Sequence, residues 1–298
     1  MDLPDGVKGM AERSAQWAEW VERLPSTAEA LLEEWGLRPD GLAQHGFTAL
    51  VLPVRDGEDR AGMLKIAFPD DETAYEHLAL QKWQGAGAVR LIRAEPHRRA
   101  MLLERLGEEK LDSIDVVEAC EVVAGLYERL HVVAPPQLDR LSARAARWAA
   151  TLRELPRSAP VPRRLVEQAA ALAGDLSDDP DTDGRLLHGD LHYLNVLAAG
   201  REPWLAIDPK PLSGDPHAEL APMLWNRWDE AVATGNVREA VRERFFTLVD
   251  QAGLDEDRAR SWVVVREMVM ALGHLVEPLP GEEDGVTVSV TIAKAVQD

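Results

Sequence analysis

Two short stretches carry the side chains best suited to chemistry. The first reads Leu187-His188-Gly189-Asp190-Leu191-His192-Tyr193-Leu194-Asn195-Val196-Leu197. The second reads Trp204-Leu205-Ala206-Ile207-Asp208-Pro209-Lys210-Pro211. Phosphoryl transfer asks for few parts: a carboxylate to orient and deprotonate the attacking hydroxyl, oxygen ligands for Mg²⁺, and a lysine for the phosphates. Asp190 and Asn195 stand five positions apart, and Asp208 follows a hairpin-sized interval and an apolar strand. Singly, each reads as a turn former. Together they fit the base, the amide ligand and the carboxylate ligand of that chemistry. A rival reading takes His188, Asp190 and His192 as one face of an extended strand, which would suit a transition metal and a hydrolase. No further His, Cys or carboxylate cluster of ligand spacing supports it. A bracing role for the His188 ring is the better expectation.

The surrounding pattern says what must hold these residues. Val7 to Leu24 places Met10, Trp17, Trp20, Val21 and Leu24 at helical spacing, with Pro25 as its expected end. Ser26 and Thr27 are expected to cap a second helix that stops at Gly36. Phe47 to Val54 and Met63 to Phe68 read as strands around the turn Asp56-Gly57. Glu72 to Trp83 reads as a helix, and Val89 to Ala94 and Ala100 to Glu104 as two more strands. From Asp112 onward helices dominate: Ile114 to Val133, Asp139 to Leu155, Arg163 to Leu176, and three more near Ala218 to Ala233, Val237 to Ala252 and Asp255 to Val276. Between them, Arg185 to Leu187, Val196 to Ala198 and Trp204 to Ile207 are too brief for helices and read as a hairpin region. The expected layout is α+β: a β-rich lobe over residues 1–104, with N-terminal helices, and a mostly helical lobe over 105–298.

The two chemical stretches resemble the aminoglycoside phosphotransferases, and more narrowly the streptomycin and hydroxyurea kinase branch. The resemblance rests on His188 to His192, on Ile207-Asp208-Pro209-Lys210-Pro211 and on Gly214-Asp215-Pro216, and it runs from about Leu42 to Met270. It implies a two-lobed, protein-kinase-like fold, with ATP and Mg²⁺ as cofactors. By position, Asp190 would be the catalytic base, and Asn195 and Asp208 would hold the metal. Lys65 would reach the nucleotide phosphates and Glu76 would pair with it, Glu72 being the rival. Backbone groups at Glu104 and Leu106 would meet the adenine. In place of Gly-x-Gly-x-x-Gly stands Gly41-Leu42-Ala43-Gln44-His45-Gly46, so backbone near His45 to Thr48 is the expected phosphate cover. Pro209 and Lys210 after Asp208, instead of Phe and Gly, fit the small-molecule branch and not a protein kinase.

Composition narrows the partners. The net charge of -19 and the absence of a Lys/Arg-rich block argue against nucleic acid. They suit solubility, and they are compatible with a cationic substrate. One cysteine, Cys120, excludes an internal disulfide, which fits a cytoplasmic chain. No run is long enough to span a membrane. The expected activity is ATP-dependent phosphorylation of a hydroxyl, on a streptomycin-like aminoglycoside or alternatively on hydroxyurea or a small metabolite. The other class is a nucleotide-binding pseudoenzyme, which would typically have lost part of the base and ligand set.

Overall fold

Ser14 opens the first long element. Its hydroxyl accepts the Trp17 N–H, and the helix then runs to Trp35, where Gly36 ends it at φ 63°. In this computed structural model, which describes residues 2–276 and 284–297, the chain divides into two units, Met1–Gly107 and Glu108–Asp298. The first unit contains α1 (Asp5–Gly9), α2 (Ala15–Trp35), β1 (Arg38–Pro39), β2 (Gln44–His45), β3 (Ala49–Arg55), β4 (Ala61–Ala67), α3 (Glu76–Trp83), β5 (Leu91–Glu95) and β6 (Ala100–Glu104).

Helix boundaries in this unit differ from those expected in three places. The helix expected from Val7 to Leu24 is interrupted at Ser14, whose extended backbone (φ -170°) separates α1 and a following 3₁₀ turn from α2. Pro25 lies inside α2 and does not end it. Its missing N–H and its ring oppose the helix by about 3 kcal/mol. Val21, Leu24 and Leu31 are buried against the sheet, and at roughly 1.5–3 kcal/mol each they outweigh that cost. Ser26 accordingly does not cap; its hydroxyl donates to the Arg23 carbonyl at 2.9 Å. The helix expected from Glu72 begins only at Glu76. The Thr73 N–H is taken by Asp70 Oδ1 at 2.8 Å, which holds 70–73 as a turn.

The sheet is antiparallel in the order β1-β3-β4-β6-β5, with β2 also paired to β3. Alternation in β4 decides its two faces. Leu64 and Ile66 pack into the core beneath α2. Lys65 lies on the other face, between Val51 and Met101 in the register.

The second unit contains α4 (Val116–Leu130), α5 (Leu141–Glu154), α6 (Arg163–Asp178), β7 (Arg185–Leu187), β8 (Val196–Ala198), β9 (Trp204–Ala206) and β10 (Leu212–Gly214). It continues with α7 (Ala221–Trp225), α8 (Trp228–Ala233), α9 (Val237–Ala252), α10 (Glu256–Val276) and α11 (Gly285–Ala295). The hairpin region is two separate ribbons, β7 with β10 and β8 with β9. The single helix expected over 218–233 is broken at Asn226 and Arg227, where Arg227 turns left-handed at φ 55°. The helix α11 has no counterpart among the sequence expectations.

Asp215, between β10 and α7, ties this unit together. Its Oδ1 accepts from the backbone N–H and the Nδ1 of His217, and its Oδ2 from Trp262 Nε1 at 2.6 Å and Arg258 Nε at 2.5 Å. Burial opposes its ionisation, but the hydrogen bonds from His217 and Trp262 outweigh burial and hold the carboxyl below its usual range. A depressed folded pKa stabilises fully above the unfolded value, about 3.9, and that stabilisation disappears as pH falls through the folded value. Asp215→Asn is therefore expected to lower unfolding free energy by about 3 kcal/mol at neutral pH. In urea titrations the gap from the parent should narrow at about pH 3. An equal gap at both pH values would contradict the assignment.

Candidate active site

A buried carboxylate shapes the loop after β7. Glu219 is 2% exposed. Its Oε2 accepts the His188 N–H at 2.9 Å and its Oε1 accepts the Gly189 N–H at 2.6 Å. Burial disfavours its charge, yet the His131 ring 3.6 Å away and the backbone donors reverse this and keep the carboxyl below its usual range. At 3.6 Å the His131 ring adds attraction but no hydrogen bond. The loop then turns at Gly189, φ 81°. A Cβ there would lie 2.1 Å from the Lys210 carbonyl oxygen, so only glycine fits.

His188 is fully buried and braces the turn. Its Nδ1 accepts the Asp190 N–H at 3.3 Å and its Nε2 faces the Ile207 carbonyl at 2.9 Å. That network assigns the proton to Nε2. Burial holds the ring below its usual pKa, so it is neutral. His188, Asp190 and His192 therefore do not form a metal-binding strand face: β7 ends at Leu187, and both nitrogens of His188 are engaged.

The two chemical stretches meet through backbone bonds. The Lys210 N–H donates to the His188 carbonyl and the Ile207 N–H to the Asn195 carbonyl, each at 2.8 Å. Asn195 Nδ2 donates to the Asp190 carbonyl at 2.8 Å. This leaves Oδ1 of Asn195 as its donor atom toward a cation. Asp208 sits at φ 58°, an uncommon left-handed position for a residue other than glycine. An amide oxygen and a carboxylate are hard donors, and such a pair fits Mg²⁺ rather than zinc. Among the described residues no group of three or more His, Cys, Asp or Glu side chains forms a metal cluster.

Asp190 is partly exposed. Lys210 Nζ lies 3.1 Å from its Oδ2 and His192 Nε2 lies 3.9 Å from its Oδ1. Burial lowers the pKa of His192. Tyr193, behind the loop, donates to the Met223 carbonyl at 3.2 Å and stands 3.8 Å from Cys120 Sγ. Burial pushes the Cys120 thiol up to about 11, so it serves as a small core residue.

The first unit presents its own constellation. Lys65 Nζ contacts both oxygens of Glu76, at 2.6 and 2.8 Å, with both side chains buried. The pair expected from the sequence thus forms with Glu76, the first residue of α3. The Glu104 N–H donates to the Arg90 carbonyl at 3.0 Å, so any backbone contact it makes with a base runs through its carbonyl. Leu106 follows β6 two residues later. The turn at Gly46 to Thr48 is the tip of the hairpin joining β2 and β3. Arg13 braces it, donating to the Phe47 carbonyl at 2.9 Å and lying 4.4 Å over the Phe47 ring.

Sequence reasoning missed Glu219 and Lys210. A lone glutamate near a helix start reads as solvated, and its partners are 30 and 31 residues away. Lys210 was visible within Asp208-Pro209-Lys210 but carried no role without the fold.

Known proteins are similar to this chain in sequence, and others in fold. The streptomycin 6-kinase of Streptomyces glaucescens is 41% identical over 290 residues, covering 93% of this chain and 91% of that protein. The hydroxyurea phosphotransferase of Kitasatospora aureofaciens is 43% identical over 257 residues, 83% of this chain and 72% of that protein. Among solved structures, the choline kinase LicA of Streptococcus pneumoniae superposes with a TM-score of 0.62 at 13% identity, covering 92% of this chain and 99% of that one. The aminoglycoside phosphotransferase APH(4)-Ia, solved as a ternary complex with ADP and hygromycin B, gives 0.58 at 14% identity over 90% and 96%. These two share the protein-kinase-like fold. The profile of one family, described as aminoglycoside/hydroxyurea antibiotic resistance kinase, matches residues 34–273, and the chain belongs to that family.

Proposed function

We propose that this chain transfers the γ-phosphoryl group of ATP to a hydroxyl of a streptomycin-like aminoglycoside, and thereby removes the drug's affinity for its target. The observation that carries the reading is the Asp190 carboxylate, held with Lys210 at 3.1 Å on a loop whose backbone is fixed by Glu219. The relatives named as streptomycin 6-kinases, at 41% and 38% identity, support the substrate class and the 6-hydroxyl as acceptor. The net charge of -19 suits a cationic drug. ATP use places the work in the cytoplasm, and among the described residues no helix is long and apolar enough to cross a membrane.

The roles follow from the donor groups. Asp190 orients the acceptor hydroxyl and takes its proton as the oxygen attacks phosphorus. Lys210 holds the Asp190 carboxylate in place. Asn195 Oδ1 and the Asp208 carboxylate would hold Mg²⁺, which when bound offsets the negative charge of the phosphates. Lys65, kept in one position by Glu76, pairs with the nucleotide phosphates. The Glu104 carbonyl and the Leu106 backbone serve the adenine. The relative named as a hydroxyurea phosphotransferase keeps hydroxyurea as the second acceptor to test.

ADP release measured against streptomycin, other aminoglycosides, sugars and hydroxyurea should show turnover with streptomycin first. Bound ATP with no transfer to any hydroxyl compound would overturn the reading in favour of a pseudoenzyme. Asp190→Asn is expected to lower kcat by about 10²–10⁴ while the thermal midpoint and ATP affinity stay near the parent's; full turnover would exclude Asp190 as base. Glu219→Gln should behave differently, losing kcat together with about 3 kcal/mol of stability, because two loop N–H groups lose a charged acceptor. Parent-like urea unfolding and parent-like kcat would rule out its role in holding the loop.

A further inference from the structure

The first unit contains a cavity of about 380 Å³ between α2 and the ends of β4 and β6. One wall is apolar, with Phe68 packed edge-on against Trp20 at 5.8 Å and stacked on Trp17 at 3.7 Å. Arg23, Arg98 and Arg99 also line the cavity, with Glu19 as the single carboxylate among the described lining residues. In a chain of net charge -19 this local reversal is unusual, and a concave cationic lining raises the local concentration of anions.

The arginines are not equivalent. Arg23 pairs with Glu19, and Arg98 makes a two-pronged pair with Glu34. Among the described residues no ion pair engages the Arg99 guanidinium. Its backbone is left-handed at φ 50°, which presents the side chain from a tight turn between β5 and β6. Its charge also reaches His77, whose ring is held below the usual imidazole range by burial and by Arg99.

We infer that this cavity is a binding site for a small aromatic carboxylate, whose ring lies against Trp20 and Phe68 and whose anionic group meets Arg99. The volume falls in the range of small-molecule pockets. A flat ring satisfies the aromatic wall, and a carboxylate satisfies a forked guanidinium. The cavity borders the strand that carries Lys65. Ile66 and Ala67 in its wall directly follow Lys65 in β4. Arg99 also lines a small neighbouring cavity together with Thr73 and Glu76.

The probe is 2-naphthoate, followed by calorimetry and tryptophan fluorescence on the full chain with ADP saturating throughout. The expected result is one saturable site per chain, quenching of the tryptophan signal, and binding at least about tenfold weaker for the neutral isostere 2-naphthamide. Arg99→Asn, which tolerates the left-handed backbone, should weaken 2-naphthoate by a similar factor without moving the thermal midpoint. No saturable 2-naphthoate binding at millimolar concentration would overturn the inference. So would equal affinity for the amide, or unchanged affinity in a folded Arg99→Asn variant.

Discussion

Glu219 is the group on which the geometry of the second unit turns. A carboxylate with 2% of its surface exposed is unfavourable unless its charge is met. Here it is met by two consecutive backbone N–H groups, those of His188 and Gly189, and by the approach of His131. The donors are fixed parts of the main chain, so satisfying the carboxylate fixes the main chain. Tyr127, whose hydroxyl donates to the Glu219 carbonyl at 3.0 Å and whose ring stacks on His131, closes the support from α4. Everything with chemical potential is hung from that turn: Asp190 follows it, Asn195 bonds back to it, and Lys210 crosses it through the gap left by Gly189.

The first unit uses a related device for a different purpose. Lys65 and Glu76 are both buried and contact each other through both carboxylate oxygens. Such pairs add little net stability, because desolvation offsets most of the attraction. Their value is positional. A lysine on a strand has a long flexible stem, and the buried partner removes that freedom. The strand's other face, Leu64 and Ile66, is anchored under α2, so the lysine can neither flip nor slide in register.

Much of this was legible in the sequence, for reasons that are local. Strand alternation placed Lys65 opposite Leu64 and Ile66, and the spacing of Asp190, Asn195 and Asp208 marked the chemical stretches. Gly36 and Gly57 punctuated the chain as expected. What was not legible depends on contacts distant in sequence. Pro25 reads as a helix end, and only the sheet beneath α2 explains why the helix continues. Glu72 reads as helical until the Asp70 side chain is seen to take the Thr73 N–H. Glu219 has no local pattern, and Lys210 stands in a motif that gave it no role; their contacts exist only once β7 and β10 pair and bring residues 188–190 against 207–210.

The central claim is that Asp190 takes a proton from the acceptor while that same hydroxyl attacks phosphorus directly, with no phosphorylated enzyme between. Stereochemistry at phosphorus tests it most directly. With ATP made chiral at the γ-phosphorus by isotopic oxygen and sulfur, and streptomycin as acceptor, a single in-line displacement gives inversion, which is the result this account requires. Retention would mean that an enzyme side chain, such as His192, carries the phosphoryl group first, and would contradict the role assigned to Asp190.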